Sequence, residues 1–128
     1  MDVGGRMSDP SATCSGMLSF QKLDVYQRSM EFLALTAGIG DQPAKGNAAL
    51  VDQLRRAASS IPLNIAEAAG RTGKADVART YAIARGSAME SAAALDALAL
   101  LNVIDGPTKE RGERLLEGVV AMLTRLCR

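Results

Sequence analysis

The chain has 128 residues, 48% of them hydrophobic, yet only two Phe, two Tyr and no Trp, so its apolar mass is mostly Ala and Leu. That length suits one domain able to bury a core without disulfides or metal, and the composition favours helix over sheet. Fifteen basic and fourteen acidic side chains give a formal charge of +1, which excludes a strong overall field toward nucleic acid or anionic membrane and leaves any such partner to a local patch.

Residues 1–19 are rich in Gly, Ser, Asp and Pro and lack periodicity, so a disordered N-terminal tail is expected, with residues 20–128 as the folded domain. Met7 and Met17 are further candidate starts. The first 16 residues hold no apolar stretch able to serve as a signal-peptide core. No later apolar run approaches the ~20 residues of a membrane span, and even residues 92–101 are interrupted by Asp96. A cytoplasmic location away from membrane is therefore expected.

The first helix is expected over about residues 23–37, where Leu23, Tyr26, Met30, Leu33 and Ala37 recur at steps of three and four. Gly38, Gly40, Asp41 and Pro43 then stop it. A second helix over residues 48–69 carries the stripe Leu50, Leu54, Ala58, Ile61, Ile65 and Ala69, with Gly70 suited to a left-handed cap. Pro62 inside it removes one backbone donor, which predicts a kink, eased by the hydroxyls of Ser59 and Ser60.

The third helix is expected over residues 74–103, with Val77, Tyr81, Ala84, Ala88, Leu95 and Leu98 as its seam and an Ala-rich middle, residues 87–94, that permits close approach of a neighbour. After Asp105, Gly106 and Pro107, a fourth helix uses Leu115, Leu116, Val119, Met122, Leu123 and Leu126. Four helices joined by short or moderate loops predict an all-α fold, an antiparallel up-and-down four-helix bundle. Second apolar rows, such as Phe32 with Leu35 and Leu100 with Leu101, exceed what one small bundle buries and predict self-association.

Histidine is absent, which excludes Ser-His-Asp and Cys-His catalysis and the usual Glu-x-x-His di-iron site of four-helix bundles. Cys14 and Cys127 lie near opposite ends without framework spacing; both read as free thiols, and a four-ligand structural zinc site within one chain is out. The segment Gly70-Arg71-Thr72-Gly73-Lys74 is similar to a phosphate loop, but Ala68 and Ala75 occupy positions where that motif needs Gly and Ser or Thr. It reads instead as an interhelical turn with Thr72 or Gly73 as N-cap, where backbone donors beside Arg71 and Lys74 can hold one phosphate or sulfate. No catalytic residue, metal or cofactor is expected, and the protein reads as a non-enzyme.

Gln53, Arg56, Ser60, Asn64, Glu67 and Arg71 form a polar stripe on the second helix, and Thr80, Ser87 and Glu90, with Ser91 beside them, form one on the third. Glu67 and Glu90 can do acid-base work only if brought together. The preferred reading puts Asn64, Glu67, Ser87 and Glu90 in a structural polar network or an interface. Between Gln53 and Gly86, six cations, Arg55, Arg56, Arg71, Lys74, Arg79 and Arg85, face two carboxylates, a local balance of +4. Such a patch can contact RNA or DNA phosphates in a salt-dependent way, while the scarcity of aromatics argues against stacking-based readout.

Taken together, Phe20-x-x-Leu23-x-Val25-Tyr26, the run from Gln53 through Ser59-Ser60-Ile61-Pro62-x-Asn64-Ile65-Ala66 to Glu67, then Gly70-Arg71, and Ala84-x-Gly86-Ser87-x-x-Glu90 closely resemble the 23S rRNA intervening-sequence protein family. The resemblance covers about residues 20–105. It implies a four-helix bundle assembled as a homopentameric ring. In a related branch, the accessory variability protein of diversity-generating retroelements, a basic barrel surface binds nucleic acid and a reverse transcriptase. The +1 charge here departs from that strongly basic branch. Two functions stand: a homo-oligomeric protein touching RNA or DNA through its basic patch, or a structural adaptor recruiting a protein partner without nucleic acid.

Overall fold

In a computed structural model, residues 18–39 and 47–128 are described. Most of the expected tail, Cys14 and the residues linking the first two helices, 40–46, lie outside them. A single 3-10 turn, Ser19–Lys22, leads into α1 (Asp24–Ile39), α2 (Ala48–Ala69), α3 (Lys74–Leu100) and α4 (Gly106–Leu126), with no strand among the described residues. Each helix packs on its neighbours in sequence, and α1 also packs on α4, so the four enclose one core. No helix among the described residues is long and apolar enough to cross a membrane.

Local chemistry sets the helix ends. Asn47 enters α2 at φ 59°, a left-handed conformation that Asn tolerates. Gly70 does not form the expected left-handed cap: its φ is −88°. The last turn of α2 tightens instead, with Gly70 N–H donating to Glu67 O at 3.0 Å and Arg71 N–H to Ala68 O at 3.1 Å. Gly73 is the N-cap of α3, as one of the two sequence readings had it.

The third helix stops three residues before the expected end. Asn102 turns left-handed at φ 62°, and the N–H groups of Val103 and Asn102 bond back to Leu98 O at 2.9 Å and Ala99 O at 3.0 Å. This double closure satisfies carbonyls that the helix end would otherwise leave open. Asp105 then caps α4 by accepting from Thr108 N–H at 2.8 Å, with Pro107 in the first turn.

α2 runs unbroken through Pro62, which is buried. The neighbouring hydroxyls do not serve the carbonyl that Pro62 frees. Ser59 donates to Arg56 O at 3.0 Å, and Ser60 points to α3.

The core of α2 agrees with its expected stripe at Leu54, Ala58, Ile61 and Ile65, but Ala68 rather than Ala69 is enclosed. α3 buries Tyr81, Ala84, Ala88, Leu95 and Leu98, and α4 buries Leu116, Val119 and Leu123. α1 differs: its enclosed face is Val25, Ser29, Phe32, Thr36 and Ile39, while Met30 and Ala37 are exposed. Ser29 and Thr36 fit there because their hydroxyls donate to Tyr26 O and Leu33 O, both at 2.7 Å, so neither enters the core with an unmet polar group. Phe32, expected in an outer row, is fully enclosed, whereas Leu100 and Leu101 are exposed.

Two glycines inside helices differ in kind. A Cβ on Gly112 would lie 2.7 Å from Leu95 Cδ1, 3.3 Å from Leu35 Cδ2 and 3.4 Å from Phe32 Cε1, whereas one on Gly86 meets nothing within 4 Å. Leu95 and Phe32 are fully enclosed and cannot give way cheaply. Gly112→Ala should therefore destabilise by about 1–2 kcal/mol despite its gain in helix propensity, and Gly86→Ala should stabilise by about 1 kcal/mol. Urea unfolding of both variants checks the opposed signs; stabilisation by Gly112→Ala would refute the packing at α1, α3 and α4.

Candidate functional site

The polar rows meet along the seam between α2 and α3. Ser60 Oγ and Ser87 Oγ share a hydrogen bond of 2.8 Å across the two helices. Asn64 Nδ2 donates to Ser60 O at 2.8 Å and to Ser60 Oγ at 3.0 Å. One turn along α3, Ser91 Oγ donates to Ser87 O at 2.9 Å, and Thr80 Oγ1 donates to Asp76 O at 2.8 Å. Thr80, read as part of the polar stripe on the third helix, and Ser91, read as lying beside it, are both enclosed. A hydroxyl that bonds its own helix can be buried at little cost.

Of the four residues expected in one network, Asn64 and Ser87 join through Ser60. Glu67 and Glu90 stand apart from it and from each other. Glu67 accepts from Arg71 on its own helix, and Glu90 Oε2 accepts from Gln53 Nε2 at 3.4 Å near the other end of the seam. Residues 53 and 67 are fourteen positions apart on α2, about 21 Å of helix, so the two carboxylates do not form an acid-base pair. Among the described residues no group of three His, Cys, Asp or Glu is placed to hold a metal.

The six cations divide among three places. Arg71, Lys74 and Arg79 gather at the turn from α2 to α3 around Asp76: Arg79 Nη2 lies 2.8 Å and Arg71 Nη1 3.4 Å from its carboxylate. Arg55 turns toward α1, where Nη2 donates to Ala37 O at 3.3 Å, while its Nε is buried without a partner. Arg56 beside it is paired with Asp52 at 2.7 Å. Arg85 reaches the other flank, where Nε donates to Thr124 Oγ1 on α4 at 2.8 Å. Only the turn cluster therefore brings three of the expected cations together, and Lys74 is the one among them without an ion pair among the described residues.

The charges at this turn are mutually tuned. Hydrogen bonding from Arg79 holds the Asp76 carboxyl below its ordinary 3.8, against an opposing effect of desolvation and with help from the Arg71 and Arg79 charges. Hydrogen bonding to Glu67, then the charges of Asp76 and Glu67, holds the Arg71 guanidinium above its usual value.

Apolar surface is the second candidate. Leu63 and Leu100 are 68% and 82% exposed. A groove of about 510 Å³ between α1 and α2 is lined by Met30, Leu33, Ala34 and Ala37 with Arg55, Arg56 and Ser59. Another of about 360 Å³ between α3 and α4 is lined by Met89, Ala92, Leu116, Val120 and Ala121 with Glu113 and Glu117. Neither groove was legible in the sequence, because each is made by two helices.

A scan against known protein families matches the 23S rRNA-intervening sequence protein family over residues 21–125, nearly the whole of all four helices. The chain belongs to that family. A search of curated proteins finds no match. In this 23S rRNA-intervening sequence protein, the most specific stretch of the resemblance, residues 53–67, is the part of α2 that builds the seam: Gln53, Ser60 and Asn64 supply its polar contacts, and Leu54, Ala58, Ile61 and Ile65 its core. Ser60 was missed as a key residue, although its place four residues before Asn64 and in the same row was visible.

Asp76 gives the turn a pH signature. Because its carboxyl is lowered in the folded state, its stabilising contribution is complete above the unfolded value of 3.8 and is lost as pH falls through the lower folded value. Asp76→Asn should therefore lower the thermal midpoint near neutral pH and leave less further loss on acidification. Thermal melts of both proteins from about pH 7 to about pH 2 should converge at the acid end; parallel curves would refute the coupling.

Proposed function

We propose that the protein is a non-enzymatic, cytoplasmic scaffold: an antiparallel up-and-down four-helix bundle, bent at Pro62, that assembles as a homopentameric ring and contacts RNA or DNA phosphates through Arg71, Lys74 and Arg79. The antiparallel arrangement accords with partner numbers that fall along one helix as they rise along the next: Gln53 with Glu90 and Ser60 with Ser87, then Arg85 with Thr124 and Asp96 with Lys109. The absence of His supports the non-enzymatic reading, since the usual general bases and nucleophile partners cannot be built.

One observation carries the oligomer: both flanks of the core hold open apolar grooves, and Leu63, Met89, Leu100 and Leu101 are more than half exposed. Surface of this kind is what association covers. Family membership supports a ring of five. Carboxylates offset much of the turn's positive charge in one copy, so useful nucleic-acid affinity depends on repetition around the ring. The same ion pairing favours a second reading, an adaptor whose apolar faces recruit another protein without nucleic acid.

Light scattering should give five times the 13.4 kDa chain mass. The assembled protein should retain RNA or DNA of mixed sequence at ~50 mM salt and release it by ~500 mM, with retention weakened by Lys74→Ala. A mass of one chain would remove the ring. A ring with no retention at low salt would leave the adaptor reading.

A further inference from the structure

The two grooves differ in charge and face away from each other. α1 and α2 form one flank of the core and α3 and α4 the other, since α1 packs on α2 and α4 while α3 packs on α2 and α4. On the first flank, Arg55 and Arg56 border an apolar floor that includes Met30, 42% exposed; on the second, Glu113 and Glu117 border a floor that includes Met89, 51% exposed. Within the chain Asp52 is tied to Arg56 and Lys109 to Glu113. Among the described residues Arg55 and Glu117 make no ion pair; Arg85, bonded to Thr124 on the second flank, makes none either, so the acidic character there belongs to the groove rim at Glu113 and Glu117 rather than to the whole flank.

The grooves also lie at the same height. Arg55, Arg56 and Ser59 fall between Gln53 and Ser60 on α2, whose partners on α3 are Glu90 and Ser87, and Met89 lies between those two. A flank of one copy can thus meet the opposite flank of the next with no shift along the helix axis. Contacts that repeat by rotation without such a shift close into rings, whereas those that climb make filaments.

Resting on the oligomeric reading above, we infer that the subunit contact is head-to-tail: the α1–α2 flank of one copy seats on the α3–α4 flank of the next, with Arg55 and Arg56 over Glu113 and Glu117. The occupant of each groove is a second copy of this chain. Pairing like flanks about a twofold axis would set cation against cation or carboxylate against carboxylate, which disfavours the symmetric dimer. Methionine is unbranched and adaptable, which suits it to line both sides of such a contact.

Charge reversal tests the pairing. Arg56→Glu and Glu117→Lys, both at exposed positions, should each raise the concentration at which the assembly falls apart by about tenfold, as followed by light scattering on dilution. The double variant should recover assembly, because the reversed pair is again complementary. Circular dichroism checks that every variant keeps its helices. If the wild-type protein assembles but neither single variant weakens it, or the double variant does not recover, the flank pairing is wrong while the oligomer stands. If the wild-type protein is a single chain at every concentration, the oligomeric reading itself falls.

Discussion

Everything in this fold is arranged about the close approach of α2 and α3. A serine side chain is one carbon long, so a 2.8 Å contact between Ser60 Oγ and Ser87 Oγ brings the backbones to the short end of the ~8–10 Å range of packed helices. Enclosed alanines on both sides, Ala57 and Ala58 on α2 and Ala84 and Ala88 on α3, permit that distance. The hydroxyl pair also fixes the register, because sliding either helix by a turn would break the Ser60–Ser87 bond and leave the Ser87 hydroxyl without that partner inside a half-buried seam, while the Asn64–Ser60 bonds, which lie within α2, would persist. With this pair locked, α1 is laid on α2 and α4 on α3, and the larger side chains, Phe32, Ile61, Leu95 and Leu123, fill the space between the two layers.

The end of α2 and the start of α3 were legible because the chain punctuates them with Gly70 and Gly73. The end of α3 was not, since Asn102 does there what glycine more often does and the apolar pattern runs on to Val103. The enclosed face of α1 was misread for a related reason. Apolar periodicity favours Leu23, Tyr26, Met30, Leu33 and Ala37, but the core accepts Ser29 and Thr36, whose hydroxyls are satisfied on their own helix. A polar residue of that kind is invisible as core to any count of apolar spacing. The same blindness kept Thr80 and Ser91, which the sequence showed only as members or neighbours of a polar stripe, out of the expected core.

Charge was harder to read than burial. The balance of +4 between Gln53 and Gly86 began one residue after Asp52, the partner of Arg56, and treated as one surface cations that the helices send to three. Arg55 and Arg85 leave the α2–α3 pair in opposite directions, toward α1 and α4, and only Arg71, Lys74 and Arg79 remain together. The sequence carried the residues of the turn cluster and the i,i+3 spacing of Asp76 and Arg79, but not the contact of Arg71 with Asp76, which depends on the angle at which α3 leaves the turn. The acid rim of the α3–α4 groove had no linear signal at all, because Glu113 and Glu117 look like any exposed pair on a fourth helix until Met89 and Ala92 are set beside them.

α3 joins these strands of argument. A helix that serves one core shows a clear apolar face and a clear polar one. α3 encloses Thr80 and Ser91 and exposes Ile83, Met89 and Leu100, so its two faces differ little. Such a helix is stable in water when more than one of its sides is covered. α2 covers one side through the serine seam and α4 covers another, and on the proposed assembly the flank of the next copy covers Met89. The alanine content that lets α2 come close also leaves the core thin, since each alanine contributes little apolar area. Contact between copies would then supply burial that the single chain forgoes in order to keep its closest helix pair.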